Sequence, residues 1–136
     1  MHKSRLAGFI IDCKDADLPA AAEFWGAALG MKLHGFNGEE GENYIRLMDE
    51  DRGLHIETQR VTHESRVHLD IETDDIEAEA ARLEKLGAKK VRKFPRWWVM
   101  EAPTGHRFCV VQAKAADFDG KANRWEQDTG PPLSRG

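Results

Sequence analysis

Hydrophobic and polar residues alternate along this chain in a pattern that occurs twice. Each copy opens with a short apolar run typical of a β-strand. A stripe of apolar residues spaced three or four apart follows, which predicts an amphipathic helix, and several alternating runs typical of half-buried strands come next. The helices are predicted to begin at Asp17 and Asp75 and to end before Gly30 and Gly87. The chain is therefore predicted to contain two strand–helix–strands units.

Local signals support both helices. Asp17 is a favourable N-cap, Pro19 suits a first helical turn, and Gly30 suits the position after the last turn. In the second copy either Asp74 or Asp75 is the cap, with a carboxylate at Glu77 in the capping-box position. Strands are predicted at 6–13, 31–36, 43–48, 54–59, 67–72, 89–94, 97–101 and 107–112.

Composition and charge limit the classes of function. The chain has 136 residues, is 40% hydrophobic and 32% charged, and carries a net charge of −4, which favours one soluble globular domain over a nucleic-acid or anionic-membrane partner. No apolar run reaches the roughly 20 residues of a membrane-spanning helix. With Cys13 and Cys109 as its two cysteines, the chain has no disulfide framework, and a cytoplasmic location is expected.

We expect two modules, at about 5–61 and 65–113, within a domain at 1–113. Residues 114–136 are predicted to be a polar, loosely attached tail whose Trp125 packs back onto the body. The acidic loop at 39–42 is either a lid or a turn. The basic run at 89–96 is interpreted as a solvated sheet edge.

Strand alternation sorts side chains onto two faces of the sheet. The apolar set is expected to face the helices: Ile45, Leu47, Leu54, Ile56, Val67, Leu69, Ile71, Phe108 and Val110. The opposite face then carries Ile10, Asp12, Tyr44, Arg46, Met48, His55, Glu57, Gln59, His68, Asp70, Cys109 and Val111. Burying unpaired charges costs about several kcal/mol, so these groups either pair with one another or meet a ligand. Both possibilities remain open from the sequence.

Aromatic residues lie beside these polar positions. Trp97 and Trp98 are neighbours on one strand, so one faces the helix and the other the polar side. On the polar side, a tryptophan together with Arg46 would suit a flat or acidic ligand, and Tyr44, Phe36 and Phe94 lie in or beside the same strands. The alternative is that the tryptophans only fill space against the sheet.

Several motifs in the second half resemble a known superfamily. They are Val67-His68-Leu69-Asp70, Asp74-Asp75-Ile76-Glu77, Leu86-Gly87-Ala88 and Ala102-Pro103-Thr104-Gly105-His106. Over about residues 6–112 the chain resembles a glyoxalase-like domain of the vicinal oxygen chelate superfamily, which includes glyoxalase I, extradiol dioxygenases and bleomycin-resistance proteins. The resemblance implies an α+β fold of two βαβββ modules that curl a mixed sheet around a cleft, with the helices outside, and a homodimer.

The same resemblance implies positions for a metal site. Members that use a metal place ligands on the first, fourth, fifth and eighth strands. His68 and Glu57 match two of these positions, while Gly8 and Cys109 occupy the other two. A histidine nitrogen with a carboxylate oxygen would suit Zn²⁺, Ni²⁺, Mn²⁺ or Fe²⁺. Asp12 or His55 are possible substitutes for the missing ligands, and a Cys109 thiolate could bind zinc.

A metal-free interpretation of the same residues is preferred. His68 is then hydrogen-bonded to Asp70 or Glu57, and such a pair could act as a general base. Cys109 is either a nucleophile activated by His68 or, preferably, a packing residue.

Three functions follow. The preferred one is a small-molecule-binding glyoxalase-like protein of unassigned activity. The alternatives are a metal-dependent lyase, isomerase or dioxygenase that uses His68 and Glu57, and a bleomycin-resistance-type protein that sequesters its ligand. The predicted ligand-binding residues are Arg46, Tyr44, His55, Asp70, Trp97 and Cys109.

Overall fold

The computed structural model describes residues 1–15, 17–35, 43–48, 53–114 and 118–126. Three features named above, Phe36, the acidic loop at 39–42 and the end of the tail at 127–136, lie outside these residues. The described residues form nine strands and three helices in the order β1 (His2–Lys14), α1 (Leu18–Leu29), β2 (Lys32–Gly35), β3 (Tyr44–Met48), β4 (His55–Val61), β5 (Arg66–Thr73), α2 (Ile76–Lys85), β6 (Lys89–Phe94), β7 (Trp97–Glu101), β8 (Arg107–Gln112), α3 (Phe118–Lys121) and β9 (Asn123–Trp125).

Parallel and antiparallel strand pairs both occur, which confirms the predicted α+β fold with a mixed sheet. The chain divides into two compact units, residues 7–69 (the first unit) and residues 1–6 with 70–136 (the second unit). None of the helices in the described part of the chain is long and apolar enough to cross a membrane.

In the first unit the strand order is β2-β3-β4-β1. β1 runs parallel to β4, and β3 runs antiparallel to β4. The predicted signals for α1 are confirmed: Asp17 Oδ1 accepts a hydrogen bond from the Ala20 N–H, and Gly30 adopts the left-handed conformation at φ 70°. The core consists of Ile11, Leu47 and Ile56, with Cys13 and Trp25 packed against it.

The second unit repeats this arrangement with the order β5-β8-β7-β6. Asp75 is the N-cap of α2, and its carboxylate accepts a hydrogen bond from the Ala78 N–H. α2 buries Ala80 and Leu83 against Met100, Phe108 and Val110 of the strands. The apolar positions predicted on β8 therefore form part of the core.

Two apolar residues of β5 differ from the expectation. Val67 and Leu69 are 56% and 51% exposed, whereas Ile71 on the same strand packs against the core of the second unit. Alternation assigns a side chain to a face of the strand, but it does not determine whether another element covers that side chain. The helix side of β5 is thus only partly covered.

The C-terminal segment is more ordered than the predicted loose tail. β9 pairs with the start of β1, where Trp125 lies opposite His2, and Phe118 in α3 is buried. The expectation that Trp125 packs back onto the body is confirmed. Its indole Nε1 donates a hydrogen bond to Ser4 Oγ at 2.8 Å, and its ring lies 3.9 Å from Cζ of Arg82.

These contacts lead to Glu79 in α2, which is fully buried. Arg82 donates two hydrogen bonds of 2.8 Å to its carboxylate, and Ser4 Oγ and His2 Nε2 lie at the same distance from it. Burial alone would raise the pKa of Glu79, but these donors hold it below its ordinary value of 4.5. A carboxylate therefore links α2 to the N-terminal strand and, through Ser4, to Trp125.

Candidate functional site

One face of the first unit carries most of the polar residues singled out in the sequence. Leu47 and Ile56 lie in the core on the other face, so their strand neighbours Arg46 and Glu57 point away from the core. Strand register places Arg46 opposite Glu57, Tyr44 opposite Gln59, and Gln59 opposite Asp12. We call this set, together with His55 and His68, the polar face.

Two histidine–carboxylate pairs lie on the polar face. His68 Nδ1 is 2.8 Å from Asp12 Oδ2, and His55 Nε2 is 2.5 Å from Glu57 Oε1. An ionised carboxylate only accepts hydrogen bonds, so in each pair the contacting ring nitrogen of a neutral histidine carries the proton. The second nitrogen of each ring is then the basic one, Nε2 in His68 and Nδ1 in His55.

The polar face also contains buried polar atoms with unused hydrogen-bonding capacity. Asp12 is 3% exposed, and its Oδ1 has no hydrogen-bond partner among the described residues. Nε of Arg46 is also buried and also has no hydrogen-bond partner among the described residues. A buried polar atom left without a partner costs about 1–3 kcal/mol. Groups of this kind are satisfied when a ligand or water molecule occupies the face.

Gln59 and Tyr44 form a hydrogen-bonded pair at one edge of the polar face. Gln59 Nε2 donates a hydrogen bond to the Tyr44 hydroxyl at 3.0 Å, and Thr58 on the core side bonds to the Ile45 carbonyl. Side chains on both faces therefore link β3 to β4. The strands that carry Arg46 and Glu57 are fixed relative to each other.

The two predicted metal ligands contact different partners. Glu57 pairs with His55, and His68 pairs with Asp12. Their imidazole and carboxylate groups suit a first-row divalent ion. Among the described residues of 7–69, however, no three potential metal-binding side chains lie close enough together to share one ion. His68 and Glu57 therefore do not form a ready-made metal site with a third ligand within the described part of this unit.

Position 8 has no room for a ligand side chain. Gly8 lies opposite His55 in the β1–β4 pairing, and a Cβ atom at Gly8 would collide with the His55 backbone carbonyl. A residue other than glycine could therefore stand here only if the two strands moved apart. This close approach accounts for the missing first-strand ligand in physical terms.

The other predicted site residues belong to the second unit. A carboxylate oxygen of Asp70 and the sulfur of Cys109 lie within 4.8 Å of each other. Trp98 packs against the core and donates its indole N–H to Glu77 of α2, so Trp97 faces the opposite side, as alternation predicts. There Trp97 stacks on Phe94 with ring centroids 4.6 Å apart.

Sequence reasoning left some of this chemistry unassigned. It placed Asp12 and His68 on one face but did not pair them, because hydrogen bonds between distant strands need the register. It also did not single out Arg66, whose Nε lies 3.8 Å from Asp12 Oδ2. For Asp12, the available sequence signal was the alternation of side chains along β1, which placed it on the polar side of the sheet.

Comparisons with solved structures show similarity at the level of the fold. A methylmalonyl-CoA epimerase variant from Streptomyces coelicolor, in complex with 2-nitronate-propionyl-CoA, matches with a TM-score of 0.55 and 21% identity over 82% of this chain and 98% of that one. A Mn(II)-bound glyoxalase from Novosphingobium aromaticivorans matches with a TM-score of 0.54 and 19% identity over 80% of this chain and 40% of that one.

A third similar structure carries the superfamily name. It is a glyoxalase/bleomycin resistance protein/dioxygenase superfamily member from Vibrio splendidus 12B01, with a TM-score of 0.53 and 16% identity over 81% of this chain and 99% of that one. No curated protein matches the sequence at a significant level.

The fold, with its repeated βαβββ units, is that of the vicinal oxygen chelate superfamily. A family model described as a glyoxalase-like domain matches residues 8–111. The chain therefore belongs to the glyoxalase-like domain family, as the sequence motifs predict.

Proposed function

We propose that this protein binds a small organic acid on the polar face of the first unit and that His68 acts there as a general base. The observation that carries the proposal is the buried Nε of Arg46, which lacks a hydrogen-bond partner in the described part of the chain. An arginine presents a planar set of donors that matches a carboxylate. A ligand carboxylate at Arg46 would satisfy this atom and orient the molecule.

Asp12 supports the proposed role of His68. Its carboxylate accepts the hydrogen bond from Nδ1 and so keeps the basic nitrogen at Nε2. Asp12 is almost fully buried, so its contact with the imidazole is little weakened by water. In the reaction class that we propose, Nε2 takes a proton from the carbon next to a ligand carbonyl. The electron pair of the broken C–H bond moves into the carbonyl group, and a proton returns later.

The test measures binding and proton transfer separately. Methylmalonyl-CoA and a panel of small 2-substituted carboxylic acids are titrated by calorimetry and then incubated with the protein in D₂O. Loss of the α-proton signal in ¹H NMR reports proton abstraction, even where the product is unknown. We expect at least one ligand of the panel to bind and to exchange its α-proton.

Variants assign the two roles. Arg46→Met should weaken binding by about 10- to 100-fold, because one charge-assisted hydrogen-bonded contact contributes about 1.5–3 kcal/mol. His68→Gln should abolish exchange while changing binding far less, and Asp12→Asn should slow it. His106→Gln, a change at an exposed histidine of the second unit, is the control. The proposal would be refuted if the His68→Gln variant exchanged the α-proton at the wild-type rate, or if no ligand of the panel bound.

A divalent first-row metal is the second candidate. The similarity to a Mn(II)-bound glyoxalase favours it, and His68 and Glu57 remain the predicted ligands. Such an ion would polarise a ligand carbonyl as a Lewis acid. Untagged protein should then contain about one metal ion per chain by elemental analysis, and His68→Ala should lose it. A metal-free, folded protein whose thermal stability does not respond to added Mn²⁺, Ni²⁺, Zn²⁺ or Fe²⁺ would contradict this candidate.

The proposal also includes the setting of the protein. Cys13 and Cys109 are thiols rather than a disulfide pair, which supports a reducing, cytoplasmic location, and the family resemblance supports a homodimer. Sedimentation velocity tests the dimer. A ligand that binds tightly without any exchange would instead favour the bleomycin-resistance-type role, in which the ligand is held but not converted.

A further inference from the structure

A pocket that adjoins the polar face and shares Asp12 with it lies on the α1 side of the first unit. Its volume is about 530 Å³, within the range of small-molecule sites. Ala21, Phe24 and Trp25 of α1 line it, together with residues 11–14 of β1 and residues 65–67 at the start of β5. The site lies wholly within residues 7–69. Of the polar face it includes Asp12, but not Arg46, Glu57 or His55.

The walls of this pocket are aromatic and aliphatic. Phe24 and Trp25 meet edge to face, with ring centroids 5.0 Å apart and planes at 85°. Phe24 is 62% exposed and Val67 is 56% exposed, although both are large apolar side chains. Apolar surface left in water costs about 25 cal/mol per Å², so a flat apolar body placed against these two residues is favoured.

A guanidinium group adjoins the apolar walls. Arg66 Nε lies 3.8 Å from Asp12 Oδ2, which is too long for a hydrogen bond, and its terminal nitrogen lies 3.3 Å from Nε2 of His63. Lys14 is occupied by an ion pair with Glu64 at 2.7 Å. Asp12 Oδ2 is hydrogen-bonded to the His68 ring instead of to Arg66. Arg66 is therefore the cation with donors to offer an anion in this pocket.

We propose that this pocket is a second binding site, which takes a flat aromatic carboxylate. The ring system lies against Phe24 and Val67, and the carboxylate receives hydrogen bonds from Arg66. The Ser65 hydroxyl already accepts a hydrogen bond from the Lys14 N–H, and its own proton can be donated to the same carboxylate. The proposed contacts to Phe24, Val67, Arg66 and Ser65 do not require the function proposed for Arg46 and His68 on the polar face.

The test uses two probes that differ mainly in charge, 2-naphthoate and the neutral 2-naphthylmethanol, titrated by calorimetry. We expect one 2-naphthoate per chain and about tenfold weaker binding of the neutral probe, since a charge-assisted contact contributes about 1.5–3 kcal/mol. Equal binding of the two probes, or no binding of 2-naphthoate, would overturn the proposal.

Paired variants locate the binding. Phe24→Ser should weaken 2-naphthoate about tenfold, whereas Leu29→Ser, a change at an exposed apolar residue of the same helix outside the pocket, should not. Arg66→Gln should remove the preference for the charged probe, and Arg60→Gln should retain it. If Phe24→Ser fails to fold, Val67→Thr tests the same apolar wall of the pocket. The residue is exposed and threonine is similar in size to valine, so this variant should fold and should also weaken 2-naphthoate binding.

Two further measurements distinguish this pocket from the polar face and from self-association of the chain. Arg46→Met should leave 2-naphthoate binding unchanged, because Arg46 does not line the pocket. Sedimentation velocity with and without 2-naphthoate should show the same mass. A wild-type chain that self-associates through Phe24 and excludes the probe would overturn the proposal in favour of a second copy of the chain.

Discussion

Replacing Glu79 by glutamine should destabilise the second unit strongly. The wild-type carboxylate is fully buried, and each of its two oxygens lies 2.8 Å from two donors. Glutamine keeps one oxygen but turns an NH₂ group toward the other pair of donors. Arg82 then loses its counter-charge where its side chain is only 16% exposed.

The magnitude follows from the contacts that are lost. Two charge-assisted hydrogen bonds at about 1.5 kcal/mol each give a loss of about 3 kcal/mol in the free energy of unfolding. That is a large part of the 5–15 kcal/mol typical of a domain. For a chain of this length, about 3–5 °C per kcal/mol predicts a fall in melting temperature of roughly 10 °C. Circular dichroism with urea and thermal unfolding measures both quantities.

The stability lost in Glu79→Gln should become smaller as the pH falls into the acidic range. The pKa of Glu79 is lowered in the folded state, so the ionised carboxylate stabilises the fold above its unfolded pKa of about 4.5. That stabilisation is lost as the pH falls through the lower, folded-state pKa. The difference in stability between wild type and Glu79→Gln should therefore be constant near neutral pH and shrink below about pH 4.5.

The matched control is Glu84→Gln on the same helix. Glu84 is exposed and lies 3.6 Å from Lys90, a surface pair of the kind that contributes about 0–1 kcal/mol. If Glu79→Gln unfolds no earlier than Glu84→Gln, the hydrogen bonds around Glu79 do not stabilise the unit. A loss that stays constant down to pH 3 would show that the charge of Glu79 is not the cause.

Three further predictions concern backbone approach, the C-terminal segment and a helix cap. Gly8→Ala should lower soluble yield or melting temperature sharply because its Cβ meets the His55 carbonyl, while Gly35→Ala, whose Cβ would have no atom of the described residues within 4 Å, should behave as wild type. Trp125→Phe loses the hydrogen bond to Ser4, so it should cost about 1 kcal/mol by urea unfolding, and a wild-type value would contradict that role. Asp75→Ala removes the α2 cap and should also cost about 1 kcal/mol, with Asp119→Ala in the short α3 as the control.

Much of the fold was predictable from short sequence patterns, because contacts between residues close in sequence determine where helices and strands begin and end. Asp17 and Asp75 cap helices by contacts within three residues, and the left-handed Gly30 ends α1 without any distant partner. The last three of the four strands of the second copy, 89–94, 97–101 and 107–112, match the predicted bounds because turn residues separate them. The C-terminal segment was harder to predict, since Trp125 is held by Ser4 and Arg82, far away along the chain.

The candidate site was predictable in its residues but not in their pairing. Alternation placed Asp12, Arg46, Glu57 and His68 away from the core, and the structure agrees with that placement. The partner of each group depends on strand register, which brings His68 to Asp12 and leaves His55 for Glu57. A one-residue difference in register would change every such pair.

The two βαβββ units carry their buried polar groups on different elements. In the first unit, backbone contact at Gly8 excludes a side chain, and two histidine–carboxylate pairs occupy the polar face instead. In the second unit, the fully buried carboxylate lies on the helix, where Arg82 and Ser4 satisfy it. A carboxylate whose oxygens are all hydrogen-bonded stabilises a fold, whereas Asp12 keeps a buried oxygen with no hydrogen-bond partner among the described residues, as our proposal of a ligand at this face requires. The same backbone plan therefore carries a fully hydrogen-bonded carboxylate on the helix of one unit and histidine–carboxylate pairs on the strands of the other.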